Sequence, residues 1–164
     1  MMTSANFDHL KDIDPPLALL AAHAERYFVD DANTALIKTR QFAERMARVV
    51  AERAGADIAS GDTFSEMLRS IRRDGLVPAE ILDILHRLRI DGNAAVHGHD
   101  GERRMAFEAI KLCHRLGVWL RASAMRQTRL TMPFAPPRLA EDDAPDLKRQ
   151  VAALRSELEV STAA

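Results

Sequence analysis

A single cysteine, Cys113, stands in 164 residues, so the chain has no intramolecular disulfide and no paired-cysteine zinc site, as suits a reducing cytoplasm. Aromatic residues make up only 5% of the chain, and no segment reads as a β-strand, which weighs against a β-sandwich. No apolar run approaches the roughly 20 residues that a bilayer span needs. The start, Met1-Met2-Thr3-Ser4-Ala5-Asn6-Phe7, has no apolar signal core, so a soluble, cytoplasmic protein without a membrane partner is expected. A glycine-rich phosphate loop, a nucleophile elbow and a dinucleotide fingerprint are missing too, which leaves common cofactor chemistry without a home. No cofactor is expected.

What remains is rich in Ala, Leu and Arg, with 47% apolar residues, and that favours an all-α fold. The length suits one domain with a real core and a tail. Asp14-Pro15-Pro16 announces a first helix to about Val29, with Leu17, Leu20, Ala21, Ala24 and Phe28 as its apolar stripe. Asp30 and Asp31 end it and cap a second, in which Leu36, Phe42, Ala43, Met46, Val49 and Val50 recur at helical period until Gly55. The two should pair antiparallel. Thr63-Phe64-Ser65-Glu66 matches a capping box and starts a short third helix that Gly75 stops. Pro78 opens a fourth, with Ile81, Ile84, Leu85 and Leu88 inward, broken at Gly98-His99-Asp100-Gly101. The fifth runs from about Glu102 to Met125 with a broad apolar face that includes Met105, and is expected to be the central packing helix.

The domain is expected over residues 7 to 130, followed by a Pro-rich, acidic linker over 131 to 146. In the last segment, 147 to 160, Leu147, Val151, Leu154 and Leu158 are spaced 4, 3, 4, the seam of a coiled coil that stops before two heptads are complete. It reads as the start of a longer coiled coil, as a dimerising tail, or, in isolation, as a frayed end.

Net charge is only −1, yet residues 109 to 140 carry Lys111, Arg115, Arg121, Arg126, Arg129 and Arg138 with no acid. Arg121, Arg126 and Arg129 are the expected phosphate contacts of a DNA or RNA surface; the bland reading spreads these arginines round a helix.

The stretch with the most chemistry is Arg89-Ile90-Asp91-Gly92-Asn93-Ala94-Ala95-Val96-His97. If the helix continues through Gly92, then Arg89, Asn93 and His97 stand at i, i+4 and i+8 on one face. His97 suits a general base, Arg89 suits a phosphoryl transition state, and the Asn93 amide orients either of them. The same three side chains serve equally as a polar network that pins helices together. His97-Gly98-His99 has no third placed ligand, so no metal is assigned. Cys113 and His114 are adjacent on a helix and point about 100° apart, which makes Cys113 a small core residue rather than half of a dyad.

The runs Ala24 to Phe42, Leu85-His86-Arg87-Leu88-Arg89 through Gly92-Asn93-Ala94-Ala95-Val96-His97, and Leu116-Gly117-Val118-Trp119-Leu120 occur in that order. In them the chain resembles the DUF4145 family over roughly residues 7 to 125. That resemblance implies the helical domain found at the N-terminus of type I restriction R subunits and DEAD/DEAH-box helicases, followed by a coiled-coil linker and nuclease and helicase modules. The family is in turn similar to the HEPN superfamily, whose active members build a metal-independent ribonuclease site across a dimer from an Arg-x4-6-His motif with a polar residue after the arginine. Asn93 and His97 match the polar and histidine positions, but Gly92 stands where the arginine belongs, and Arg89 lies one turn earlier. The resemblance therefore implies a HEPN-like bundle of about five helices acting as a non-catalytic accessory domain that binds nucleic acid or partner subunits. The alternative is a homodimeric HEPN ribonuclease or toxin.

Overall fold

A computed structural model describes residues 3–96, 103–127, 130–137 and 153–159. After a 3-10 turn at Asp8–Leu10, the chain forms α1 (Pro15–Phe28), α2 (Ala32–Arg53), α3 (Phe64–Asp74), α4 (Ala79–Val96) and α5 (Arg103–Ala124), with no strand among the described residues.

The helix ends follow the capping chemistry in the sequence. Asp14 accepts from the Leu17 amide at 3.1 Å ahead of α1, and Asp31 accepts from the Thr34 amide at 3.0 Å ahead of α2. Thr63 and Glu66 close the capping box of α3 at 3.1 and 3.3 Å. Gly75 ends α3 in the left-handed region, at φ 61°, where a side chain would be strained.

The central helix is α2, not α5 as the sequence pattern led us to expect. α2 packs on α1, α3, α4 and α5, most extensively on α1 and α4. Its alanines 35, 43, 47 and 51 are all buried beside Leu36, Phe42, Met46, Val49 and Val50. Small residues on several sides widen the apolar surface beyond one stripe, so neighbouring backbones approach from more than one direction. α5 buries a narrower face, and Met105, expected inward, is exposed at its first turn.

Both ends of the domain fold back onto it. Phe7 and Leu10 are fully buried, and the Phe7 ring lies 5.8 Å from that of Phe42. Residues 130–137, the last residue of the expected domain and the start of the expected linker, are non-helical as their prolines require, yet they dock. Phe134 packs 5.8 Å from Phe107 and 5.4 Å from His114, and Asn6 pairs with the Ala135 backbone at 2.7 and 2.8 Å. Beyond that, residues 153–159 are helical and exposed; Leu147 and Val151 of the coiled-coil pattern lie outside the described residues. No helix among the described residues is long and apolar enough to cross a membrane.

Candidate functional site

α4 runs unbroken through Asp91, Gly92 and Asn93 to Val96, which puts Arg89 and Asn93 one turn apart on the same helix. Its continuity depends on a close crossing with α2. Gly92 is buried, and a Cβ built there would lie 2.2 Å from Cβ of Arg40. That distance is far inside van der Waals contact with the root of a side chain, which cannot swing away as a flexible tip would. Glycine is what allows α4 to lie this close to α2.

The stripe divides beyond that point. Asn93 turns toward α2, where its Oδ1 accepts from Nε of Arg40 at 2.6 Å. Arg40 is itself held by Glu44, which accepts from Nη1 at 3.1 Å, and its guanidinium lies 5.7 Å from the Phe64 ring centroid. Nearby, the Asn33 amide donates to the Ala95 carbonyl at 3.0 Å, a second tie between α2 and α4.

Arg89 faces the other way, into a cleft between α3 and α4 lined by Ser65, Leu68, Arg69, Arg72 and His86, with a volume of about 200 Å³. Its Nε is buried and has no hydrogen-bond partner. Burial, then the charge of Arg89, lowers the His86 imidazole below its ordinary value; Asp83 opposes this and Arg72 adds to it. Arg89 and Asn93 thus do not converge on one point, and His97 lies outside the described residues. Arg40, Arg69, Arg72 and Ser65 are site residues beyond those expected from the sequence. For three of them a signal was present: Ser65, Arg69 and Arg72 sit at i, i+4 and i+7 on α3, the spacing of one helical face.

Among the described residues of the basic stretch, three of the four cations, Lys111, Arg115 and Arg121, are engaged in internal contacts. Arg121 Nη1 donates to both carboxylate oxygens of Asp12 at 2.7 Å and to the His9 carbonyl at 3.1 Å. That contact holds the Asp12 carboxyl below its ordinary range. Arg115 pairs with Glu80, and Lys111 lies 5.8 Å from the Phe107 ring centroid. Arg126 is exposed just past α5, and Arg129 lies outside the described residues.

Cys113 is fully buried, with Sγ 4.0 Å from the Thr39 carbonyl, and burial pushes its thiol well up, as a core cysteine requires. His114 is buried between Phe7 and Phe134. Among the described residues no three His, Cys, Asp or Glu side chains are grouped to hold a metal; His97, His99 and Asp100 lie outside them.

The chain is 34% identical over 119 residues to the type I restriction enzyme EcoKI endonuclease subunit of Escherichia coli strain K12, a match that takes in 73% of this chain. It spans only 10% of that subunit's length. No solved structure matches. The family model described as "Domain of unknown function (DUF4145)" matches residues 22–118, which hold the α2–α4 crossing and the α3–α4 cleft alike. The chain belongs to the DUF4145 family.

Proposed function

We propose that this domain is a non-catalytic accessory module of a restriction or helicase-type defence protein, and that it binds or positions nucleic acid or a partner subunit. The observation that carries the non-catalytic reading is Gly92. Where a HEPN ribonuclease places its arginine, this chain has a position with no room for a Cβ. Arg89 does not replace it, since its side chain lies in the cleft with α3 while Asn93 is held by Arg40. In this reading Arg40 and Asn93 pin α2 to α4, and Arg89 belongs to a basic surface. Association with a restriction system is supported by the similarity to the endonuclease subunit.

The test is binding to labelled duplex DNA and to RNA, followed by fluorescence anisotropy. A footprint of about three phosphate contacts loses roughly 40-fold in affinity between 50 and 200 mM salt. Undetectable binding to both at 50 mM salt would remove the nucleic-acid version and leave the partner-subunit one, which co-purification with the other subunits of a type I enzyme then decides.

One observation favours a second reading: a guanidinium, that of Arg40, does lie against Asn93. In a homodimeric ribonuclease Arg40 or Arg89 would stabilise the transition state and His97 would act as base. RNA incubated with the protein in EDTA distinguishes the two. Cleavage that His97→Ala abolishes would establish the ribonuclease, whereas intact RNA leaves the accessory module.

A further inference from the structure

We infer that the cleft between α3 and α4 is a binding site for a phosphate monoester, the terminal phosphate of a nucleic-acid strand or of a free nucleotide. Its walls are two helical faces. Ser65, Leu68, Arg69 and Arg72 are at i, i+3, i+4 and i+7 on α3, and His86 and Arg89 are three apart on α4, so all six look into the same space. Three guanidinium groups, one imidazole and one hydroxyl line a cleft whose lining contains no carboxylate. Six other arginines of this domain are tied to acids: Arg40 to Glu44, Arg45 to Asp14, Arg73 to Asp74, Arg87 to Asp91, Arg115 to Glu80 and Arg121 to Asp12. Arg69, Arg72 and Arg89 form no ion pair among the described residues. Two carboxylates act on the cleft lining from outside: Asp83, one turn before His86, raises the imidazole, and Glu66 feels the charge of Arg69.

Arg89 makes the cleft more than a basic patch. Its Nε is a buried donor with nothing to accept from it, a costly arrangement unless a ligand supplies the acceptor. A planar guanidinium fork suits phosphate oxygens in pairs. The charge count selects the kind of phosphate. A backbone diester brings one negative charge to three arginines, whereas a monoester brings about −1.5 to −2 at neutral pH and a third free oxygen. A phosphate monoester is held whether it ends a strand or belongs to a nucleotide, so the inference goes beyond the proposed function and can stand or fall without it.

The experiment uses the full chain and one oligonucleotide sequence in two forms, 5′-phosphorylated and 5′-hydroxyl, with AMP and inorganic phosphate as free-anion probes. The phosphorylated strand is expected to bind about tenfold more tightly than its hydroxyl twin, the scale of one good charge-assisted contact. Arg89→Gln and the double change Arg69→Gln with Arg72→Gln each reduce that ratio to about one. Arg69 and Arg72 are exposed, so the double variant keeps the test alive if Arg89→Gln fails to fold. Arg73→Gln, on the same helix but outside the cleft, leaves the ratio unchanged. AMP or inorganic phosphate competing at the same residues, with no strand preference, also supports the site and makes the free anion its source. If the two strands bind alike and neither free anion binds, the site does not exist, although diester binding elsewhere still satisfies the proposed function. A preference for the phosphorylated strand that survives both cleft variants overturns it equally.

Discussion

At Gly92 one missing carbon decides what α4 can be. Replacing it by alanine puts Cβ 2.2 Å from Cβ of Arg40, so either the helices separate or the α4 backbone shifts. Overpacking of this kind costs about 1–3 kcal/mol, against a gain of about 1 kcal/mol from better helix propensity. Gly92→Ala is therefore expected to lower stability by up to about 2 kcal/mol in urea unfolding followed by circular dichroism; a variant more stable than the parent would mean that α2 and α4 do not cross this closely. Gly92→Arg is expected to cost more and to create no ribonuclease. The resemblance to HEPN ribonucleases implies an arginine at position 92, but the sequence does not reveal what a side chain there would meet, because the neighbour lies on α2, more than fifty residues earlier. The same distance hid Arg40. Nothing in the spacing of Arg89, Asn93 and His97 says that the first two turn to different neighbours, since one face of a helix is wide enough to meet two others.

The helices themselves were legible because their caps are local. Asp14, Asp31, the Thr63–Glu66 box and Gly75 all act within one turn of their own position, and α1, α2 and α3 start, and α3 stops, where they stand. Packing order was not legible, since the apolar face of α5 is as regular as that of α2, and only three-dimensional contact shows that the alanines of α2 admit neighbours on several sides. Some caps also carry long-range ties. Asp14 caps α1 and at the same time accepts two hydrogen bonds from Arg45 of α2, at 2.9 and 2.6 Å. Asp14→Ala removes the cap, worth about 1 kcal/mol, and leaves Arg45 without its acceptor, worth about 1 kcal/mol more. Asp14→Asn keeps a capping oxygen and forfeits mainly the charged pair, so it is expected to cost about half as much. Equal losses in the two variants, read from the denaturation midpoints, would show that the cap contributes nothing.

Over the whole molecule, the N-terminal segment and residues 130–137 meet on α5 at His114, and this junction makes stability depend on pH. His114 lies between Phe7 of the N-terminal segment and Phe134 of the docked 130–137 segment, and burial lowers its imidazole below the ordinary 6.5, with the charge of His9 adding to the effect. Burial is also the first cause that lowers His9 and His86. A histidine with a depressed folded value binds protons more readily when unfolded. Its contribution is fully present above about 6.5 and is lost as pH falls through the folded value. Glu25 runs the other way. Burial raises its carboxyl above 4.5, although Ser4 and Asn6 hydrogen-bond it, so its contribution is full below 4.5 and is lost as pH rises through the raised value. Acidification from pH 7.5 toward 5 should lower the unfolding midpoint through the histidines while Glu25 partly offsets the loss. The sharper measurement is the titration of His114 by NMR. In Phe134→Ala one wall of its aromatic enclosure is gone, water reaches the ring, and the midpoint is expected to move up toward 6.5. A midpoint that stays where it is in the parent would mean that residues 130–137 do not cover His114 in solution, and the docking of the C-terminal segment would have to be given up with it.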